Sequence, residues 1–209
     1  MLLSVHIPKT AGVSFRKMLA QIYGPGFVLY YWEITDAWGR VCAEIPPDAT
    51  CVHGHFEAHL LADKFPDATL ITWVRDPVER VASSYYFRLR NPDWKHPVCI
   101  ELHEKKLSLV EFARLELVRN EMTLFMGKRK PADFAFIGVV EKLEASMARF
   151  FQRFDLPPVS IPNENTNPER RSTSYGISAA ERQQILELNQ EDWNLYQTCL
   201  SRHNDEAKK

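Results

Sequence analysis

The run Thr69-Leu70-Ile71-Thr72-Trp73-Val74 constrains the fold more than any other part of the chain, because a nearly continuous apolar stretch of this length is what a strand buried on both faces requires. It ends directly in Arg75-Asp76-Pro77-Val78-Glu79, which supplies an N-cap acid, a proline at the first helical position and a glutamate at the third. A helix therefore begins at once. Its Val78, Val81, Ala82 and Tyr85 recur at the spacing of one helical face. A doubly buried strand feeding straight into a helix belongs to an α/β domain with a largely parallel sheet. Further β-branched or aromatic runs at 2–7, 50–53 and 134–139, alternating with helical patterns, repeat the signal. Ser108-Leu109-Val110-Glu111 and Ser178-Ala179-Ala180-Glu181 are capping boxes that open helices over 108–126 and 179–188. Residues 141–154 read as another helix, stopped by Pro157-Pro158, and 162–176 as one long loop. The expected fold is a P-loop-like three-layer α/β/α domain, formed as a single unit over 1–209.

Composition excludes several classes. With 209 residues, 45% hydrophobic and 25% charged, the chain can bury a real core and lacks the signature of disorder. A net charge of −1 gives no whole-molecule pull toward nucleic acid or an anionic membrane, so anion affinity has to be local. Arg88, Arg90, Lys95 and His96 form one basic cluster, Lys128, Arg129 and Lys130 a second, and Arg170 with Arg171 a third. Each reads either as solvated loop charge or as the border of an anionic ligand. The apolar start, Met1 to Ile7, is too short for a signal peptide and has no basic flank, and no stretch reaches the ~18 apolar residues of a spanning helix. Cys42, Cys51, Cys99 and Cys199 lack CxxC spacing and fit reduced thiols in a cytoplasmic protein, with a Cys42–Cys51 pairing left open.

The first strand runs into Pro8-Lys9-Thr10-Ala11-Gly12-Val13-Ser14-Phe15 and then into a helical pattern with Phe15, Met18, Leu19 and Ile22 on one face. A strand, tight loop and helix in this order suit a nucleotide phosphate. Backbone N–H groups and the positive end of the helix dipole converge on the loop, and Lys9, Thr10 and Ser14 add side-chain donors. The loop does not fit the GxxxxGK[ST] pattern of nucleoside triphosphate sites, since its one glycine follows the lysine. Arg75 is a second phosphate candidate. It stands at the carboxyl end of a strand, where open α/β sheets bind ligands, and a guanidinium grips phosphate bidentately. Ser83 follows about two helical turns later.

Together these elements resemble those of sulfotransferases that use PAPS (3′-phosphoadenosine 5′-phosphosulfate). His6 through Phe15 is similar to their 5′-phosphosulfate loop, and Arg75 through Tyr86 to their 3′-phosphate element. Val52-His53-Gly54-His55-Phe56, Phe136-Ile137-Gly138-Val139-Val140-Glu141 and the stretch from Leu188 to Tyr196 extend the likeness, which is greatest to the heparan sulfate 2-O-sulfotransferase branch and its small bacterial relatives. The resemblance implies that Pro8 to Phe15 cradle the 5′-phosphate, with Lys9 on the bridging oxygen and sulfate. It implies that Arg75 and Ser83 hold the 3′-phosphate, and that the loop with Arg170, Arg171, Ser172 and Thr173 closes over the donor. It further implies an acceptor hydroxyl on a saccharide, PAP as product and no required metal.

His53, His55 and His59 admit more than one reading. A zinc site would need a strand turning into a helix between them, and no carboxylate or cysteine completes a zinc signature. As a general base, an imidazole suits removal of the acceptor proton. The resemblance points to His55 for that role, with His53 supporting it or the acceptor, and His59 reads as structural. The competing function is a metal-dependent P-loop kinase or nucleotide hydrolase, and a non-catalytic glycan- or nucleotide-binding module is the third.

Overall fold

A computed structural model describes residues 1–30, 33–35, 39–41, 44–159 and 175–206. In chain order, β1 (Leu2–Val5) leads into α1 (Gly12–Tyr23), then β2 (Phe27–Leu29), β3 (Glu33–Thr35), β4 (Gly39–Val41), β5 (Cys51–Gly54) and α2 (Ala58–Lys64). There follow β6 (Thr69–Val74), α3 (Pro77–Arg90), α4 (Pro97–Glu104), α5 (Leu109–Ala113), α6 (Glu121–Met126), β7 (Phe136–Val139), α7 (Leu143–Arg153), α8 (Ala179–Leu188) and α9 (Gln190–Glu206). Five strands form a parallel sheet in the order β2-β5-β1-β6-β7, while β3 and β4 pair separately and antiparallel. Helices cover both faces, which is the three-layer α/β/α arrangement expected.

Alternation along the strands sorts the layers. Leu2, Cys51, Ile71, Trp73 and Phe136 meet Phe15, Met18 and Leu19 of α1 and Met147, Phe150 and Phe151 of α7. Leu3, Val5, Val52 and Ile137 face the other way, toward Leu61 of α2, Met122 and Met126 of α6, and Tyr196 and Cys199 of α9. A third cluster joins α3, α4, α5 and α8 through Val78, Val81, Val98, Leu102, Phe112 and Ile185. Because β1 and β6 are neighbours, with Val5 beside Thr72, their carboxyl ends deliver the Pro8–Ser14 loop and Arg75 side by side. The chain crosses from β5 to β6 over β1, so this is a point where strand order reverses and ligands bind in open sheets.

The Asp76 carboxylate accepts from the amides of Val78 and Glu79, and both capping boxes are formed, Ser108 with Glu111 and Ser178 with Glu181. The single helix expected over 108–126 is instead two, α5 and α6. The break lies at Asn120, which adopts a left-handed conformation (φ 50°), and α6 is capped by a distant residue: Asp192 of α9 accepts from Met122 N (3.1 Å) and Thr123 N (2.8 Å). Helix α7 starts at Leu143 rather than 141, after a 3₁₀ turn over Val140–Lys142. Cys51, Cys99 and Cys199 are buried free thiols, and Cys42 lies outside the described residues. Among the described residues no helix is long and apolar enough to cross a membrane.

One buried charge ties three helices together. Arg80 of α3 is fully buried, pairs with Glu121 of α6, donates to the Val118 carbonyl (2.7 Å) and lies 3.7 Å from Asp192. Removing one member of such a set strands the others in a low-dielectric interior. Arg80→Ala is expected to destabilise the protein by about 3–5 kcal/mol, read as a lower urea midpoint at unchanged slope. A shift under about 1 kcal/mol would show that the network carries little.

Candidate active site

The Pro8–Ser14 loop is shaped by its backbone. Lys9 and Ala11 both hold positive φ, 68° and 67°, a conformation that costs free energy in non-glycine residues and turns successive N–H groups inward. Helix α1 has no side-chain cap and no acidic residue in its first turn, so the amides of Gly12, Val13 and Ser14 are left for an anion. The Thr10 hydroxyl is not one of the donors, because it is buried and spends its proton on the Ile7 carbonyl (2.8 Å). Thr10 therefore offers only its backbone N–H. Phe15 departs further from its expected role: its ring is core, edge-on to Trp73 and Phe150 at 5.2 Å each, and its N–H bonds the Ala11 carbonyl. It anchors the helix that presents the loop. Pro8 has no N–H and can shape the loop without donating to a ligand.

Arg75 joins the two phosphate elements. Its Nη1 donates to the Lys9 carbonyl (3.2 Å), and Nη2 lies 3.7 Å from Glu79 one turn along α3. Both Arg75 and Ser83 are buried. The Lys9 ammonium rests over the Phe87 ring, 3.8 Å from its centroid. Burial, with the nearby guanidinium groups of Arg75, Arg88 and Arg90, lowers its pKa to about 8. That is the signature of a cation held in a field of like charge, which a bound anion relieves. Arg170, Arg171, Ser172 and Thr173 lie outside the described residues.

The histidines lie at the same edge. His55 Nδ1 sits 2.6 Å from the His6 carbonyl; a carbonyl only accepts, so Nδ1 carries the proton and Nε2 is the basic nitrogen. Burial lowers the His55 pKa to about 4, with the His6 hydrogen bond opposing and Arg88 adding to the shift, so the ring is neutral. His53 is buried, with Nδ1 2.8 Å from the Ser4 hydroxyl, its pKa lowered by burial to about 3, and the Gly12 backbone against its ring. His53 stacks on His6 (4.9 Å). Gly54 between them is required because a Cβ there would meet the Tyr30 carbonyl oxygen at 1.6 Å. His59 stands apart on α2, 3.6 Å from Glu57 and packed beside Gly127. Among the described residues, no group of three His, Cys, Asp or Glu side chains is arranged to hold a metal ion.

Two site residues escaped sequence reasoning. His6 was legible only as part of the loop run, yet its ring packs on His55 and Gly12. Arg88 appeared as one of a surface cluster, yet it is turned inward: its Nη2 reaches His96 Nε2 (3.5 Å), and its charge acts on Lys9 and His55. Arg129 of the second cluster pairs with Asp63.

A parallel α/β sheet with an amide-rich loop and a buried arginine converging at its switch point defines a P-loop-like α/β domain. The sequence matches the sulfotransferase family over residues 1–197, and the chain belongs to that family. A sulfotransferase crystal structure from Alicyclobacillus acidocaldarius superposes with a TM-score of 0.52 at 12% identity, covering 94% of each chain. The mouse sulfotransferase SULT7A1, solved as a complex with PAP, gives a TM-score of 0.46 at 12% identity over 89% of this chain and 62% of that one. No curated protein matches the sequence.

The lowered Lys9 pKa is directly measurable. In protein labelled at lysine Cε, one carbon resonance is expected to titrate near pH 8 and to vanish in Lys9→Met. All lysines titrating together near the ordinary value of about 10.4 would contradict the electrostatics described for this site.

Proposed function

We propose that this protein transfers the sulfuryl group of PAPS to a hydroxyl of a saccharide acceptor, with His55 as general base. The reading rests on one juxtaposition: the uncapped amides of α1, the Arg75 guanidinium on the Lys9 carbonyl, and an imidazole whose Nδ1 is committed to the His6 carbonyl all meet at the same sheet edge. The 5′-phosphate fits the amides of Gly12, Val13 and Ser14, and the 3′-phosphate fits Arg75 and Ser83.

Transfer is in line. The acceptor oxygen forms the new O–S bond while the bond from sulfur to the bridging phosphate oxygen breaks, the acceptor proton passes to His55 Nε2, and PAP leaves. Lys9 and the loop amides meet the charge that grows on the departing phosphate, so positive field from the protein does the work that a metal does in kinases. The pKa of about 4 for His55 belongs to the protein without donor. Anionic phosphate and sulfate beside the ring favour its protonated form and raise that value toward the range useful for a base.

A saccharide acceptor is supported by the likeness of His53-Gly54-His55 to the heparan sulfate 2-O-sulfotransferase branch and by the surface after α3. There Trp94 is 60% exposed, its ring tilted against that of His103 at 5.2 Å, in the same loop as His96. An exposed indole offers a flat apolar face to a sugar ring.

The test pairs turnover with binding. Without added metal, PAP is expected to bind at least ~10-fold more tightly than ADP, the worth of the 3′-phosphate contacts. His55→Ala is expected to lower kcat by about 10²–10⁴ with PAP affinity near wild type, because a base need not touch the donor. Equal affinities for PAP and ADP would remove the Arg75–Ser83 assignment. A folded His55→Ala enzyme with wild-type turnover would remove His55 as the base.

A further inference from the structure

Three imidazoles, His6 and His53 buried and His55 half-buried, stand in a row at the carboxyl ends of the strands. His6 lies in the middle, its ring centroid 4.3 Å from His55 at an interplanar angle of 24°, and 4.9 Å from His53 at 21°. Its backbone clamps the same neighbours: the N–H donates to the Gly54 carbonyl (2.7 Å), and the carbonyl takes the His55 Nδ1 proton at 2.6 Å. On its other side the ring covers Gly12, where a Cβ would fall 1.7 Å from His6 Nε2. The same side chain thus lies against Gly12 of the loop and against the plane of the His55 imidazole. Such a row is an expensive way to fill a core, since each ring brings polar nitrogens that need partners, and apolar side chains would pack there at less cost.

We infer that His6 is a positioning residue: its flat ring, wedged between Gly12 and His55, fixes the orientation of the His55 imidazole and passes the donor-bound geometry of the phosphate loop to it. This rests on the assignment of His55 as base. His6 acts by shape. Burial, followed by its two histidine neighbours, holds its pKa well below the usual histidine range, so it stays neutral and takes no part in proton transfer. The backbone bond to His55 survives any substitution at position 6, so what a substitution removes is the ring that holds the His55 plane and rests on Gly12. A donor seated on the loop amides settles Gly12, and the His6 ring carries that adjustment to the His55 plane.

A double-mutant cycle tests this. His6→Ala is expected to lower kcat roughly 10- to 100-fold, the loss that a misplaced catalytic group incurs, and to cost nothing further in a His55→Ala background. His6→Phe, which keeps a flat ring and removes the nitrogens, is expected to stay within about threefold of wild type. Additive losses in the double variant would overturn the inference, as would a folded His6→Phe enzyme as slow as His6→Ala. Wild-type turnover in His6→Ala beside an impaired His55→Ala would sink the coupling alone. Wild-type turnover in His55→Ala would sink the base assignment. If neither position 6 variant folds, imidazole nitrogen NMR of the wild-type protein decides: saturating PAP is expected to shift the His55 ring nitrogens while Nδ1 stays protonated, and unmoved His55 signals would overturn the inference.

Discussion

The guanidinium of Arg75 donates to the Lys9 carbonyl across 3.2 Å, and that bond holds together two elements far apart in sequence. The shape of the loop after β1 depends on it. The loop after β1 is strained, with Lys9 and Ala11 in left-handed conformations, and such backbone persists only where its surroundings over-determine it. Arg75 supplies part of that constraint from β6, and Thr10 folding back on Ile7 supplies another part from within. The same arginine is thus both a brace for the 5′ loop and the group offered to the 3′-phosphate in the proposed function. Its ion pair with Glu79 is long, at 3.7 Å.

Arg75 is itself held by a charged interior. Asp76 caps α3, accepts from Arg182 of α8, and donates its own amide to Glu141 (3.0 Å). Arg80, one turn further, pairs with Glu121 and lies by Asp192, which caps α6. Buried ion pairs are weak sources of stability but strict ones of geometry, because misplacing any member leaves an uncompensated charge. Helix α6 in turn faces His55, with Phe125 edge-on to its ring at 5.8 Å. Helices α3, α6, α8 and α9 therefore fix the site by polar contacts, while the aliphatic core holds the sheet.

What the sequence reveals follows from where the determining contacts lie. Strand 69–74, the Asp76-Pro77 helix start and the two serine capping boxes are local chemistry and were legible residue by residue. The end of α5 was not, because the amides of α6 are satisfied by Asp192, distant in sequence, and the left-handed Asn120 carries no strong local mark. Strand β2 spans only Phe27–Leu29 and takes its identity from pairing with β5. Within the site, Lys9 and Arg75 emerged because each sits at a recognisable element boundary, whereas Ser83, in the middle of α3, emerged from its spacing to Arg75 and the family resemblance. Phe15 was drawn into the donor contacts by adjacency, although its spacing with Met18 and Leu19 already placed it in the core. His6 was overlooked for the opposite reason: its importance comes from a close approach to Gly12 that only the folded loop creates.

The central claim is that two elements of the chain receive the two ends of one nucleotide. A crystal structure of the PAP complex tests it most directly. The account predicts the 3′-phosphate on Arg75 and Ser83, the 5′-phosphate over the amides of Gly12, Val13 and Ser14, and the Lys9 ammonium drawn from the Phe87 ring to the phosphate. PAP bound with its 3′-phosphate away from Arg75, or with Lys9 still resting on Phe87, would contradict it.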